Sequence, residues 1–365
     1  MLENFRFDKP NNAIIVNLKL HTVSAEENNY SIEEIKLLAG TLGFTVVETF
    51  IQHKNHIESD YYIGKGKLEE IKEFVENNKI DVVLFDNELT GVQERNIEKF
   101  LNTTIFGRTE IILNIFSRRA RTTEAKLQVE LASMEYMFPR LKNLWDHFSR
   151  IQGGIGSRGG EGEKQLELDR RMVKDKISKI KDKLKKIDVQ MSNRRKNRED
   201  ANQVSLVGYT NAGKTSLMNL LSKSELFAEN MLFSTLDSTI RKVYISDDLT
   251  ILLNDTVGFI NKLPHSLVVS FRSTLDEIKN SKLIIHVIDG SSSNINTNID
   301  SVNKVLEDID ANTIPIIRVF NKIDLLKNGV GDIMTEKKDD DLYISVKNKT
   351  GIDLLKDKIS RFFEK

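Results

Sequence analysis

One stretch constrains this chain more than any other: Gly208, Tyr209, Thr210, Asn211, Ala212, Gly213, Lys214 and Thr215, which fit G-x-x-x-x-G-K-[ST]. The stretch follows the apolar run Val204 to Val207 and precedes Ser216 to Leu221, so it reads as strand, loop, helix. A loop so placed aims backbone N–H groups and the positive end of a helix at a polyphosphate, and its glycines permit close approach. Lys214 then reaches the β and γ phosphates, and the Thr215 hydroxyl binds Mg²⁺.

Three later segments narrow the ligand. Asp255, Thr256, Val257 and Gly258 follow the apolar run Leu249 to Asn254, an acid at a strand end and then a glycine whose N–H can meet a γ-phosphate. Asn321, Lys322, Ile323 and Asp324 follow the run Ile314 to Phe320. A carboxylate there accepts two N–H groups from the Watson–Crick edge of guanine, which adenine cannot offer, and so rejects ATP by leaving polar groups unpaired. Ser345, Val346 and Lys347 follow Leu342 to Ile344, where a loop can present a backbone N–H to guanine O6. In this order the segments specify a GTP site, holding GTP or GDP.

Between the first and second segments lie Phe233, Ser234, Thr235, Leu236 and Asp237. A switch hydroxyl must complete the Mg²⁺ shell when the γ-phosphate is present, and Ser234, Thr235 and Thr239 are the candidates. Lys214, the switch threonine and the Gly258 N–H are the expected catalytic groups. Phe259 stands where Ras-like enzymes carry a water-orienting glutamine, so slow intrinsic hydrolysis and stimulation by a partner are expected. Asn211 is open to two readings, a ligand-side residue for an activating monovalent cation such as K⁺ or an ordinary loop residue.

At 365 residues the chain has room for two domains. With 54 basic and 54 acidic residues its net charge is zero, so affinity for a polyanion must come from a local excess. The absence of cysteine excludes disulfides and thiolate metal sites and suits a cytoplasmic location. No apolar run approaches the roughly 18 residues that span a bilayer, and the expected state is a monomer.

Three parts are expected: 1–120, a smaller α/β domain; 121–200, an antiparallel coiled-coil helical hairpin; and 201–365, an α/β P-loop GTPase domain with a parallel sheet wrapped by helices. The hairpin rests on two matched stripes. Leu127, Leu131, Met134, Phe138, Leu141 and Trp145 recur at spacings of 4, 3, 4, 3 and 4, and Val173, Ile177, Ile180, Leu184, Ile187 and Met191 repeat them. Pro139 is expected to kink or interrupt the first helix. From Arg170 to Arg198 there are 13 Lys or Arg and 3 Asp, a net +10, which favours a polyanionic partner, RNA above all, over a merely solvated face. The joining loop, about 153–162, holds six glycines in ten residues and reads as a hinge or as a tip that enters a narrow cleft. Gly64, Lys65 and Gly66 suit a tight turn better than an anion site.

The run Arg118 to Ala132, the glycine loop with Gln165 to Arg171, and the segments 208–215, 233–237, 255–259 and 321–324 together resemble the HflX GTPases from about residue 13 onward. That resemblance, to a group of translation-factor-related GTPases, implies binding to the large (50S) ribosomal subunit and its rRNA and splitting of stalled or idle ribosomes under stress. It further implies hydrolysis stimulated by the ribosome, the hairpin loop reaching toward the peptidyl transferase centre, and Thr235 beside Thr215 on Mg²⁺. Departures are a glycine loop one residue longer than in many relatives and without their proline, Val346 for the usual alanine, and Gly107 where relatives often carry aspartate. The chain also stops soon after its last expected helix, Gly351 to Lys365, where longer members continue. Two other classes compete: a non-ribosomal GTPase switch in RNA processing or signalling, which need not carry the basic hairpin, and an NTP-dependent RNA remodelling enzyme, which Asp324 disfavours.

Overall fold

Among the described residues (11–152, 160–196, 201–223, 232–233, 235–237, 239–261, 267, 272–327, 329–333, 335 and 339–364), a computed structural model shows two sheets. The chain divides into two compact units, Met1–Arg118 with Val129–Leu184, and Arg119–Gln128 with Lys185–Lys365.

In the first unit, β1 (Asn11–Leu20), β2 (Phe44–Lys54), β3 (Val82–Phe85) and β4 (Thr104–Gly107) pair in parallel in the order β2-β1-β3-β4. Parallel pairing demands crossovers, and α1 (Ala25–Thr41), α2 (Lys65–Asn78) and α3 (Gly91–Leu101) supply them. Ser24 with Glu27 and Thr90 with Gln93 form capping boxes that fix where α1 and α3 begin. The start of α2 accounts for the Gly64 turn: the Gly64 N–H donates to Gln52 Oε1 at 2.9 Å. After β4 comes α4 (Arg108–Arg119), which sequence periodicity does not reveal because Ile111, Ile112, Leu113, Ile115 and Phe116 are all buried and leave no polar stripe.

Helices α5 (Thr123–Gln152) and α6 (Gly160–Lys196) form the hairpin. Seven intervening residues span at most about 25 Å, whereas 30 helical residues run about 45 Å, so α6 must turn back along α5. Lys176 and Lys181 of α6 pair with Glu130 and Glu135 of α5 at 2.8 Å each. On α6 between Arg171 and Met191, the residues not exposed are Val173, Ile177, Ile180, Leu184, Ile187 and Met191, the expected stripe. On α5 Leu131 is buried and Leu127, Met134 and Phe138 are half-buried, while Leu141 and Trp145 lie outside the residues whose side chains are described. The helix runs through Pro139 without a break. Arg140 fastens α5 to the first unit, donating to Leu89 O at 2.8 Å and meeting Glu94 and Glu88 at 3.3 and 3.5 Å. The glycine loop, apart from Gly160 to Gly162 within α6, lies outside the described residues.

In the second unit the sheet order is β10-β9-β8-β5-β7-β6, from β5 (Gln203–Val207), β6 (Thr239–Tyr244), β7 (Thr250–Asp255), β8 (Leu283–Asp289), β9 (Ile316–Asn321) and β10 (Leu342–Tyr343). All pairs are parallel except β6 on β7. Strand β6 escapes sequence reading because it is an edge strand, mostly open to solvent and carrying Arg241 and Lys242. Strand β9 begins at Ile316 and not Ile314, since Pro315 has no N–H for the ladder. The helices are α7 (Lys214–Ser222), α8 (Arg272–Lys279), α9 (Ile295–Asp308) and α10 (Ile352–Phe363). Val204, Leu206, Leu217, Leu253, Ile285, Val319 and Leu355 share one buried cluster that clamps β5 and α7 in place. No described helix is long and apolar enough to cross a membrane.

Candidate nucleotide site

Strand β5 lies between β7 and β8, so its carboxyl end sits where the connections diverge to opposite sides, the place where open α/β sheets bind ligands. The loop 208–213 leaves β5 there and enters α7, with Gly213 as N-cap in a left-handed conformation at φ 96°. Glycine is required at both ends of the loop: a Cβ on Gly208 would strike the Val287 carbonyl oxygen, and one on Gly213 would strike Asn321 Nδ2.

Lys214 is buried, and its Nζ donates to the Gly208 and Tyr209 carbonyls at 2.9 Å each. Burial pushes its amine down to about 8, with nearby Asp255 opposing. The Thr215 and Thr235 hydroxyls lie 2.6 Å apart, and each donates to Asp255 Oδ2, at 2.7 and 2.9 Å. Burial raises the Asp255 carboxyl above its ordinary value. Its other oxygen, Oδ1, is buried without a hydrogen-bond partner, as is Thr210 Oγ1. Of the switch candidates, Thr235 is thus the one brought to Thr215. Thr239 opens β6 and bonds the Asp237 carbonyl at 3.3 Å, and Ser234 lies outside the described residues.

The segment after β7 folds back on the loop. The Thr210 N–H donates to Phe259 O at 2.7 Å and the Phe259 N–H to Gly208 O at 3.2 Å. Gly258 packs so tightly there that a Cβ would lie 2.8 Å from Thr210 Cγ2 and 3.2 Å from Lys214 Nζ. Thr256 is buried and donates to Leu206 O at 2.7 Å, and Val257 is buried as well. Phe259 sits in an apolar cluster with Val207, Leu275, Ile278 and Ile284, so its ring anchors the segment. Asn211 is exposed at φ 61° and Ala212 is buried, while Phe233 and Leu236 are buried on the switch side.

At the base end, Asn321 is buried; it donates to Ala212 O at 2.9 Å and accepts from the Val346 N–H at 3.1 Å, tying the first, third and fourth motifs together. Asp324 accepts from Ser345 Oγ at 2.6 Å, which orients its carboxylate and leaves an oxygen available. Lys322 adopts φ 65° and donates to Asp289 Oδ2 at 2.7 Å. Ile323 opens a short 3-10 turn and Lys347 is exposed. Sequence reading missed Asp289, whose signal was an acid at the carboxyl end of a sheet strand. Tyr209, named with the loop, also contributes its phenol, which accepts from the Asn261 N–H at 2.6 Å. The carboxylate of Asp237 is engaged by Arg121 and Thr122.

The oxygen donors Thr215, Thr235 and Asp255 suit a hard divalent cation. The chain matches family models described as GTP-binding GTPase N-terminal (residues 29–117), GTP-binding GTPase Middle Region (119–198) and 50S ribosome-binding GTPase (203–322). It is 46% identical over 343 residues to the GTPase HflX of Caldanaerobacter subterraneus, covering 93% of this chain and 78% of that one. Against the GTPase HflX of Escherichia coli the figures are 40% over 325 residues, 88% and 75%. A GTP-binding protein from Sulfolobus solfataricus solved with GDP is 26% identical at a TM-score of 0.51, covering 96% of this chain and 98% of that one.

Proposed function

The chain belongs to the HflX family of GTPases, and from that premise we propose that it binds the large (50S) ribosomal subunit through its hairpin and splits stalled or idle ribosomes under stress. As a P-loop GTPase it hydrolyses GTP to GDP and phosphate.

The residues divide the work by position. The 208–213 loop and the start of α7 offer N–H groups to the phosphates, and Lys214 adds a charge that nucleotide must draw away from two backbone carbonyls. Thr215 and Thr235 would hold Mg²⁺, with Asp255 behind them, and the ion would neutralise charge on the β and γ phosphates. The Gly258 N–H meets the γ-phosphate on this reading. Asp324 accepts from guanine, and Asn321 braces the base loop by accepting from the Val346 N–H. Phe259 supplies no proton acceptor to orient water, so the hydrolytic step waits on a group from the partner, or on K⁺ beside Asn211. The nucleotide is the timer and the hairpin the probe. The protein acts as a cytoplasmic monomer.

The observation that carries the ribosomal reading is the exposed basic face of α6, where Lys174, Lys176, Lys179, Lys181, Lys183, Lys185 and Lys186 all face solvent. Such a face binds phosphate backbones by releasing counterions. Sedimentation with purified 50S and 70S particles in GTP, GDP and a non-hydrolysable analogue tests it: GTP-dependent association with 50S is expected, and its absence overturns the reading.

A further inference from the structure

Both oxygens of Asp237 accept from the start of α5, the first helix of the hairpin stalk. The Arg121 and Thr122 N–H groups donate to Oδ2 at 3.0 and 3.3 Å, and Thr122 Oγ1 donates to Oδ1 at 2.5 Å. Thr122 is itself the cap of α5: its Oγ1 accepts from the Ala125 N–H at 3.1 Å and its carbonyl from the Lys126 N–H at 3.0 Å. Every one of these groups belongs to the second unit. Two residues before Asp237 stands Thr235, seated on Thr215 and Asp255, and the residue between them, Leu236, is buried. Only the buried Leu236 separates them, so a movement of this segment that unseats Thr235 also displaces Asp237.

We propose that Asp237 is a positioning residue that couples the switch to the stalk, capping α5 when Thr235 is seated and releasing it when Thr235 departs. A carboxylate at a helix N-terminus is favoured by the helix dipole, and its loss returns the Arg121 and Thr122 amides to water. The seat of Thr235 depends on the γ-phosphate, so the cap reports which nucleotide is bound. Coupling of this kind is reciprocal: whatever disturbs the start of α5 must lower the preference for GTP over GDP by the same factor. Nothing in this depends on the partner being a ribosome.

The test uses the protein alone, with Mg²⁺ and either GDP or a non-hydrolysable GTP analogue. Hydrogen exchange is followed in a peptide covering 121–128, and the two affinities are measured by titration. In the wild type that peptide should exchange about five-fold more slowly with the analogue than with GDP, the effect of one lost cap. In Asp237→Ala the difference should vanish and the analogue-to-GDP affinity ratio should fall about five-fold, while Asp237→Asn, which can still accept, should restore part of it. Thr122→Val, outside the nucleotide site, should lower the same ratio in the same direction. Should Asp237→Ala fail to fold, Thr122→Val and Asp237→Asn carry the measurement. Nucleotide-dependent exchange that persists in Asp237→Ala, or exchange that rises equally in both nucleotides with the affinity ratio unchanged, overturns the proposal, the second outcome being that of a merely structural cap.

Discussion

Nucleotide binding should pull a proton onto Lys214. Burial holds the amine at about 8, and among the described residues it donates to the Gly208 and Tyr209 carbonyls. Phosphate oxygens beside it favour the charged form and return it to or above the ordinary 10.4 of a lysine. At pH 8 the amine is half protonated before binding and almost fully protonated after, so each binding event takes up about 0.5 proton; at pH 7 the figure is about 0.1. The sign is fixed: binding weakens as pH rises through 8, by about four-fold at pH 8.5 relative to pH 7. Calorimetric titration with GDP at pH 8, in buffers of differing ionisation enthalpy, reads the uptake directly. Lys214→Met removes the titrating group, and whatever nucleotide it still binds should bind without the uptake. Zero uptake by the wild type at pH 8, or equal uptake by the variant, would refute the assignment.

Asp324→Asn keeps a side chain of the same size but turns one acceptor into a donor, so competition titration should show the preference for GTP over ATP falling by at least about 100-fold; an unchanged preference would sink the base-recognition role. Thr235→Ala should leave GDP binding within a few-fold of wild type and cut single-turnover hydrolysis by at least about ten-fold, since the hydroxyl acts only when the γ-phosphate is present. Phe259→Gln should not speed intrinsic hydrolysis: the position faces an apolar cluster, so the amide is buried and a melting curve should shift down by several degrees. Neutralising Lys179, Lys183 and Lys186 should weaken RNA-dependent binding and lower the salt slope by about 2; an unchanged slope would mean that the basic face is only solvated.

How much was legible depended on whether a residue's role is local. The P-loop announced itself because strand, glycines, lysine and helix are contiguous. The stalk register on α6 was readable because a heptad stripe is a one-dimensional signal, and the residues Val173 to Met191 that it named are those that avoid solvent. Strand β6 was not readable, because an edge strand facing water carries charge where a buried strand carries Val or Ile. The burial of Phe259 was equally hidden: its place after Gly258 revealed that glutamine was missing, but only the fold shows the ring turned into the cluster with Leu275 and Ile278. The Asp237 bond to Thr122 crosses 115 residues, and no local pattern could have shown it.

The charge distribution connects the two ends of the chain's chemistry. Net charge is zero, yet 170–198 carries +10, so the remainder must carry −10. A protein this polarised does not meet a polyanion at random. On the proposed reading the basic excess of α6 draws that helix toward a polyanion, so the rate of encounter should fall steeply with salt. The Debye length is about 8 Å at physiological ionic strength, so this attraction acts only at close approach, where the lysines of α6 are exposed. The bare net charge says nothing for a nucleic-acid partner, whereas the local excess on α6 favours one. The helix that benefits is the partner of α5, the one whose first turn Asp237 holds.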